Sequence, residues 1–214
     1  MTVDEELEVA SSADEGVEGN SRITGMVAAL LLVVLAAEGA TLLDVGQWLS
    51  VHVFLGMVVV PLAALKLAST TYRAARYYLH DARYRARGAP SWWLRIIGPV
   101  VAISTVALLA SGIALVTAPR HRYPWLGDLH RVCFIVWFGL MVIHVLGHLL
   151  ETGRLAAADF RPSARRVRGG TVRPLVVAAS LVVGVALGAA TTGWATNWRG
   201  HDRGQEKEIP RGQR

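Results

Sequence analysis

Residues 129–150 read LHRVCFIVWFGLMVIHVLGHLL, a 22-residue stretch whose polar members are one arginine, one cysteine and three histidines. At about 1.5 Å rise per residue such a segment covers the ~30 Å hydrocarbon core of a bilayer, so it reads as a transmembrane helix. Working outward from it, four further apolar runs of similar length stand out at Ile23–Leu43, Leu49–Thr71, Trp93–Ala118 and Pro174–Ala195. The fold expected is all-α, a polytopic bundle of about five transmembrane helices. Composition agrees: of 214 residues 53% are hydrophobic and only 18% charged, with a mean hydropathy of +0.39.

The chain divides into three parts. Residues 1–21 hold Asp4, Glu5, Glu6, Glu8, Asp14, Glu15 and Glu18 among small residues, and are expected to form a disordered acidic tail on the cytoplasmic side. Residues 22–196 are the membrane domain, and 197–214 a polar C-terminal tail. A basic segment does not precede the first apolar run, which is long enough to span, so it reads as a retained helix rather than a signal peptide.

Orientation comes from arginine. Residues 72–95 carry Arg73, Arg76, Arg83, Arg85, Arg87 and Arg95, and residues 154–173 carry Arg154, Arg161, Arg165, Arg166, Arg168 and Arg173, whereas 44–48 has no basic residue and 119–128 has Arg120 and Arg122. The positive-inside rule then places the two long loops and the N-terminus in the cytoplasm and the C-terminus outside, in the plasma membrane. This clustering also accounts for the net charge of +6 through topology and anionic lipid, leaving no reason to invoke nucleic acid. Trp48, Trp92, Trp93 and Trp125 read as interfacial anchors. Cys133 is the only cysteine, which excludes an intrachain disulfide and cysteine-based metal clusters. Gly184 and Gly188 in the last span have the spacing that lets helices approach closely, and point to an oligomer contact.

Ionisable groups inside a membrane are costly and mark function. Those within the spans are Glu38, His52, Lys66, His130, His144 and His148, with Glu151 at a helix end. His52 lies near the outer end of the second span and His130 at the outer start of the fourth, so the two are expected at similar depth on antiparallel helices. Neutral imidazoles approaching from two helices are what the iron of a b-type haem takes as axial ligands. Glu38, at a similar depth in the first span, is placed to orient one of them through its ring N–H. From His130 to His144 is fourteen residues, about 1400° of helical turn, which returns to within about 40° of the same face some 21 Å further on. That spacing suits a second haem, but fourteen residues beyond His52 stands Lys66, which could instead reach the interface or a haem propionate; His80 would serve only if the helix broke after Tyr72. A different chemistry is also open: His144 and His148, four apart, with Glu151, have the spacing of a non-haem metal site, as in a metal-handling or transport protein. A structural subunit is the remaining reading.

The stretches Val51-His52-Val53-Phe54-Leu55-Gly56, Leu129-His130-Arg131, Trp137-Phe138 and His144-Val145-Leu146-Gly147-His148 resemble those of membrane-bound b-type cytochromes: the bacterial cytochrome b561-like proteins and the cytochrome b subunits of formate dehydrogenases and hydrogenases. The resemblance spans roughly residues 48–151. It implies a four-helix cytochrome b-like core, His52, His130 and His144 as haem ligands, and electron transfer as the activity. With no flavin, nucleotide or molybdenum motif in the chain, it would act as a relay subunit between a quinone or redox partner and an acceptor outside.

Overall fold

The computed structural model describes residues 3–86, 92–118, 123–156 and 172–208. All described secondary structure is helical: α1 (Val3–Thr41), a 3-10 turn (Leu42–Asp44), α2 (Val45–Tyr78), α3 (Ala82–Ala86), α4 (Trp92–Thr117), α5 (Leu126–Ala156) and α6 (Val172–Glu208). Four helical stretches are long and apolar enough to cross a membrane, and the first of these, Arg22–Tyr78, is 57 residues long. At about 1.5 Å per residue that is far more than one bilayer thickness. It folds back at Leu42–Asp44, where the Asp44 carboxylate accepts from the Gln47 amide at 3.0 Å and caps α2. The stretch therefore contributes two antiparallel legs.

Packing shows in which direction each leg runs. Lys66 Nζ donates to Thr24 O at 3.0 Å, Asn20 Nδ2 donates to Ser69 O at 3.2 Å, and Thr24 Oγ1 lies 3.0 Å from Ser69 Oγ, while the far end of α1 meets the beginning of α2. On α4 and α5, Ser111 meets His130, Thr105 Oγ1 accepts from Trp137 Nε1 at 2.9 Å, and Trp93 lies against Gly147, so these two also run antiparallel. On α6, Gly188 faces Phe54 and Gly184 faces Val58 and Pro61 of α2. Arg95 at the start of α4 stacks over Tyr77 at the end of α2, 5.8 Å from the ring centroid. It follows that α2 and α5 run parallel to each other, not antiparallel as the sequence suggested: both are entered from the same side because one full crossing, α4, separates them.

Two packed units result. In one, α2 packs along both α1 and α6; in the other, α4 and α5 form a hairpin, and α4 joins the hairpin to α2. No Cα of α5 comes within 8 Å of a Cα of α2 among the described residues. The interior is formed by Val27, Val58, Val59, Leu62, Ala63 and Trp137. Outside, Leu32, Val33, Ile103, Ile135 and Val182 are all more than 60% exposed. An apolar exterior of this extent has hydrocarbon, not water, as its solvent. The chain is a multi-pass membrane protein.

Residues 3–21, where a disordered tail was expected, are described as the beginning of α1; glutamate and alanine favour helix. Near the other end of the bundle, α2 runs on past Tyr72 to Tyr78, where it closes in a Schellman motif. The His80 amide donates to Tyr77 O and the Asp81 amide to Arg76 O, with His80 at φ 66° in the left-handed cap position. His80 is exposed there and folds back towards no ligand. Arg76 fastens the corner, bonding the Asp81 carboxylate at 2.7 Å and lying over the Tyr72 ring. Finally, the Gly184/Gly188 face is taken by α2 of the same chain: a methyl at either position would fall within 3 Å of the α2 backbone. The small-residue spacing serves a contact within the chain.

Candidate functional site

The polar residues gather at the end of the bundle where α1 turns into α2. His52, in the second turn of α2, has its Nδ1 2.9 Å from Glu38 Oε1 and 3.0 Å from Thr41 Oγ1, both on α1. The single hydroxyl proton of Thr41 goes to Glu38 O at 2.6 Å. Thr41 Oγ1 can then only accept, and a carboxylate can only accept, so His52 Nδ1 carries the proton. In the neutral ring the lone pair is then on Nε2.

His130, in the second turn of α5, is held in the same way. Its Nδ1 lies 2.9 Å from Ser111 Oγ on α4, and the Ser111 hydroxyl proton goes to Leu108 O at 2.9 Å. Ser111 Oγ accepts, Nδ1 donates, and Nε2 is again the basic atom. In both cases a hydroxyl residue bonds the carbonyl three residues before it and presents its oxygen to an imidazole from the neighbouring helix. Gly112 makes room for the second ring, since a methyl there would lie 3.2 Å from His130 Cε1.

The two rings approach each other from α2 and α5, with centroids 6.5 Å apart and planes at 77°. Two imidazoles bound to one iron, with Fe–N bonds of about 2 Å and about 1.2 Å from each nitrogen to its ring centre, would have centroids about 6.4 Å apart. The centroid spacing fits one iron held by both rings. Two such nitrogens suffice for haem, because the porphyrin supplies the other four donors. Among the described residues no group of three His, Cys, Asp or Glu side chains could hold a metal ion by itself.

The other candidates lie elsewhere. Lys66 is committed to Thr24 O on α1 and so turns away from α5. His144 is half-buried on α5, some 21 Å along the helix from His130. His148 and Glu151 belong to α5, but their side chains lie outside the described residues. Trp137, halfway between His130 and His144, is buried and spends its N–H on Thr105, which makes it part of the α4–α5 packing. Sequence reasoning singled out His52, His130 and Glu38, which the structure brings together, and passed over Thr41, Ser111 and Gly112, which touch the two rings. The available signal was a hydroxyl residue near the same end of each neighbouring span, within reach of a histidine at equal depth. No protein-family model, curated protein or solved structure matches the chain.

Proposed function

We propose that this protein is an electron-transfer subunit of the plasma membrane, of the membrane-bound b-type cytochrome kind, holding one b-type haem between His52 and His130. The observation that carries this reading is the pair of imidazoles at 6.5 Å, each with its Nδ1–H tied back to its own neighbouring helix. Haem in this position would supply one-electron chemistry. The chain's own part is to bind and to orient: His52 and His130 present Nε2, Thr41 and Ser111 fix tautomer and ring direction, and the apolar helices exclude water. With the arginine-rich loops in the cytoplasm, the site lies near the outer face and the N-terminus is inside. Electrons would arrive from a quinone or a redox partner subunit and leave towards an acceptor outside. A second haem at His144 finds no support, because Lys66 is engaged with α1.

The test is the absorption spectrum of the purified protein, oxidised and dithionite-reduced, after expression with ample haem. The expected result is a b-type Soret and α-band change at one haem per chain, abolished by His52→Ala and by His130→Ala and retained by His144→Ala. Absence of any haem spectrum in the wild type, or its survival in both of the first two variants, would refute the reading.

A further inference from the structure

The two imidazoles are held by the same hydroxyl device, yet they are not equivalent. His130 gives its Nδ1–H to neutral oxygens only, the Ser111 hydroxyl at 2.9 Å with the Leu108 carbonyl beside it. His52 gives its Nδ1–H also to Glu38, whose side chain is 15% exposed. The other carboxylate oxygen, Glu38 Oε2, is buried and has no hydrogen-bond partner among the described residues. The Nδ1–H of His52 is thus the one hydrogen bond that the Glu38 carboxylate receives among the described residues. Among the described residues no arginine or lysine pairs with this carboxylate, and it sits over Gly56, where a methyl would lie 3.6 Å from Oε1.

We infer that Glu38 is a positioning residue that sets the reduction potential of the site, making His52 the more electron-rich of two unequal axial ligands. This inference rests on the haem reading above. A carboxylate on the outer N–H of a ligand imidazole draws the shared proton towards itself and raises the basicity of the metal-facing nitrogen. Greater donation, together with a negative charge in a medium of low dielectric, favours ferric over ferrous iron and lowers the potential. Ser111, an uncharged dipole, exerts far less of this pull on His130. The chain therefore places its tuning charge on α1, a helix that contributes no ligand.

A redox titration of the haem-loaded protein in detergent micelles tests this, with wild type, Glu38→Gln and Ser111→Ala compared at one pH. Gln keeps the size and an acceptor oxygen but removes the charge. The expected result is a haem content close to wild type in Glu38→Gln, with the redox equilibrium moved at least tenfold towards the reduced form. For a one-electron couple that is a rise of about 59 mV. Ser111→Ala is expected to weaken haem binding, roughly 10-fold by analogy with other second partners of ligand histidines, while moving the potential less. Equal potentials in wild type and Glu38→Gln, both carrying haem, overturn the role of Glu38 and leave the haem reading standing. A wild type that takes up no haem overturns both. Should Glu38→Gln fail to retain haem, Glu38→Asp decides: it keeps the charge, and haem retained near the wild-type potential supports the inference, whereas any other result overturns it.

Discussion

Replacing Gly188 by alanine probes the contact on which the three-helix unit depends. A methyl built there would lie 2.9 Å from Phe54 O and 2.7 Å from Phe54 Cδ2, and at Gly184 2.8 Å from Val58 O and 2.9 Å from Val58 Cα. Ordinary contact begins near 3.4 Å, so α6 must withdraw from α2 by about 0.5 Å, because a backbone carbonyl inside a helix cannot rotate out of the way. Overpacking of this kind costs about 1–3 kcal/mol per site, which outweighs the gain of up to about 1 kcal/mol that alanine brings over glycine in a helix interior. Gly139 on α5 is the control, since a methyl there meets nothing within 4 Å. In reversible unfolding in mixed detergent and dodecyl sulfate micelles, Gly188→Ala and Gly184→Ala are each expected to be destabilised by about 1–2 kcal/mol, and Gly139→Ala to be unchanged or more stable. If Gly188→Ala unfolds no more readily than Gly139→Ala, the close packing of α6 on α2 described here is wrong.

Four further outcomes follow from the geometry. Lys66→Met removes the bond to Thr24 O but no haem contact, so pyridine haemochrome analysis of the variant is expected to give the wild-type haem content. Gly112→Ala puts a methyl 3.2 Å from His130 Cε1, forcing the ring to shift by a few tenths of an ångström; weaker haem retention during gel filtration is expected, without loss of the folded bundle. Were a ferric haem held by both His52 and His130, ring planes at 77° would leave its iron d orbitals nearly degenerate, so its electron paramagnetic resonance should show the strongly anisotropic low-spin signal of perpendicular rings, and a rhombic spectrum of parallel rings would contradict the geometry. On the α3 corner, burial pushes the Tyr84 phenol above its usual value of 10.0, assisted by the neighbouring Tyr72. The folded state then holds that proton more tightly than the unfolded state, so the contribution is complete below pH 10.0 and is lost as pH rises above it; an ultraviolet titration comparing wild type with Tyr84→Phe is expected to show one late-ionising tyrosine.

The spans were legible because a bilayer imposes length and apolarity on every helix that crosses it, and those are properties of consecutive residues. That His52, His130 and Glu38 lie near one another could be read for a related reason: counting residues from a span end gives depth, and depth restricts which groups can meet. Rotation about each helix axis is not encoded so locally. That is why Thr41 and Ser111, ordinary hydroxyl residues in sequence, emerge as the groups that fix two tautomers only once helix neighbours are known. It is also why Lys66, at the position matching His144, turns to α1 instead. The seating of Gly184 and Gly188 on α2 was not legible on the same ground, since their spacing says that something comes close and not which helix it is. The parallel course of α2 and α5, by contrast, could have been had from span order alone.

The docking of α6 against α2 has a consequence for how the protein is made. Some 130 residues of chain separate the two surfaces, among them the whole α4–α5 hairpin. At synthesis rates of about 5–20 residues per second, the glycine-receiving side of α2 waits roughly 6–25 s for its partner to leave the ribosome. During that interval a carbonyl-lined strip of helix faces lipid or the insertion machinery, and a foreign helix with small residues could occupy it. The last helix therefore completes the first hairpin rather than extending the second, and a chain truncated after α5 would be released with its earliest-made surface still bare.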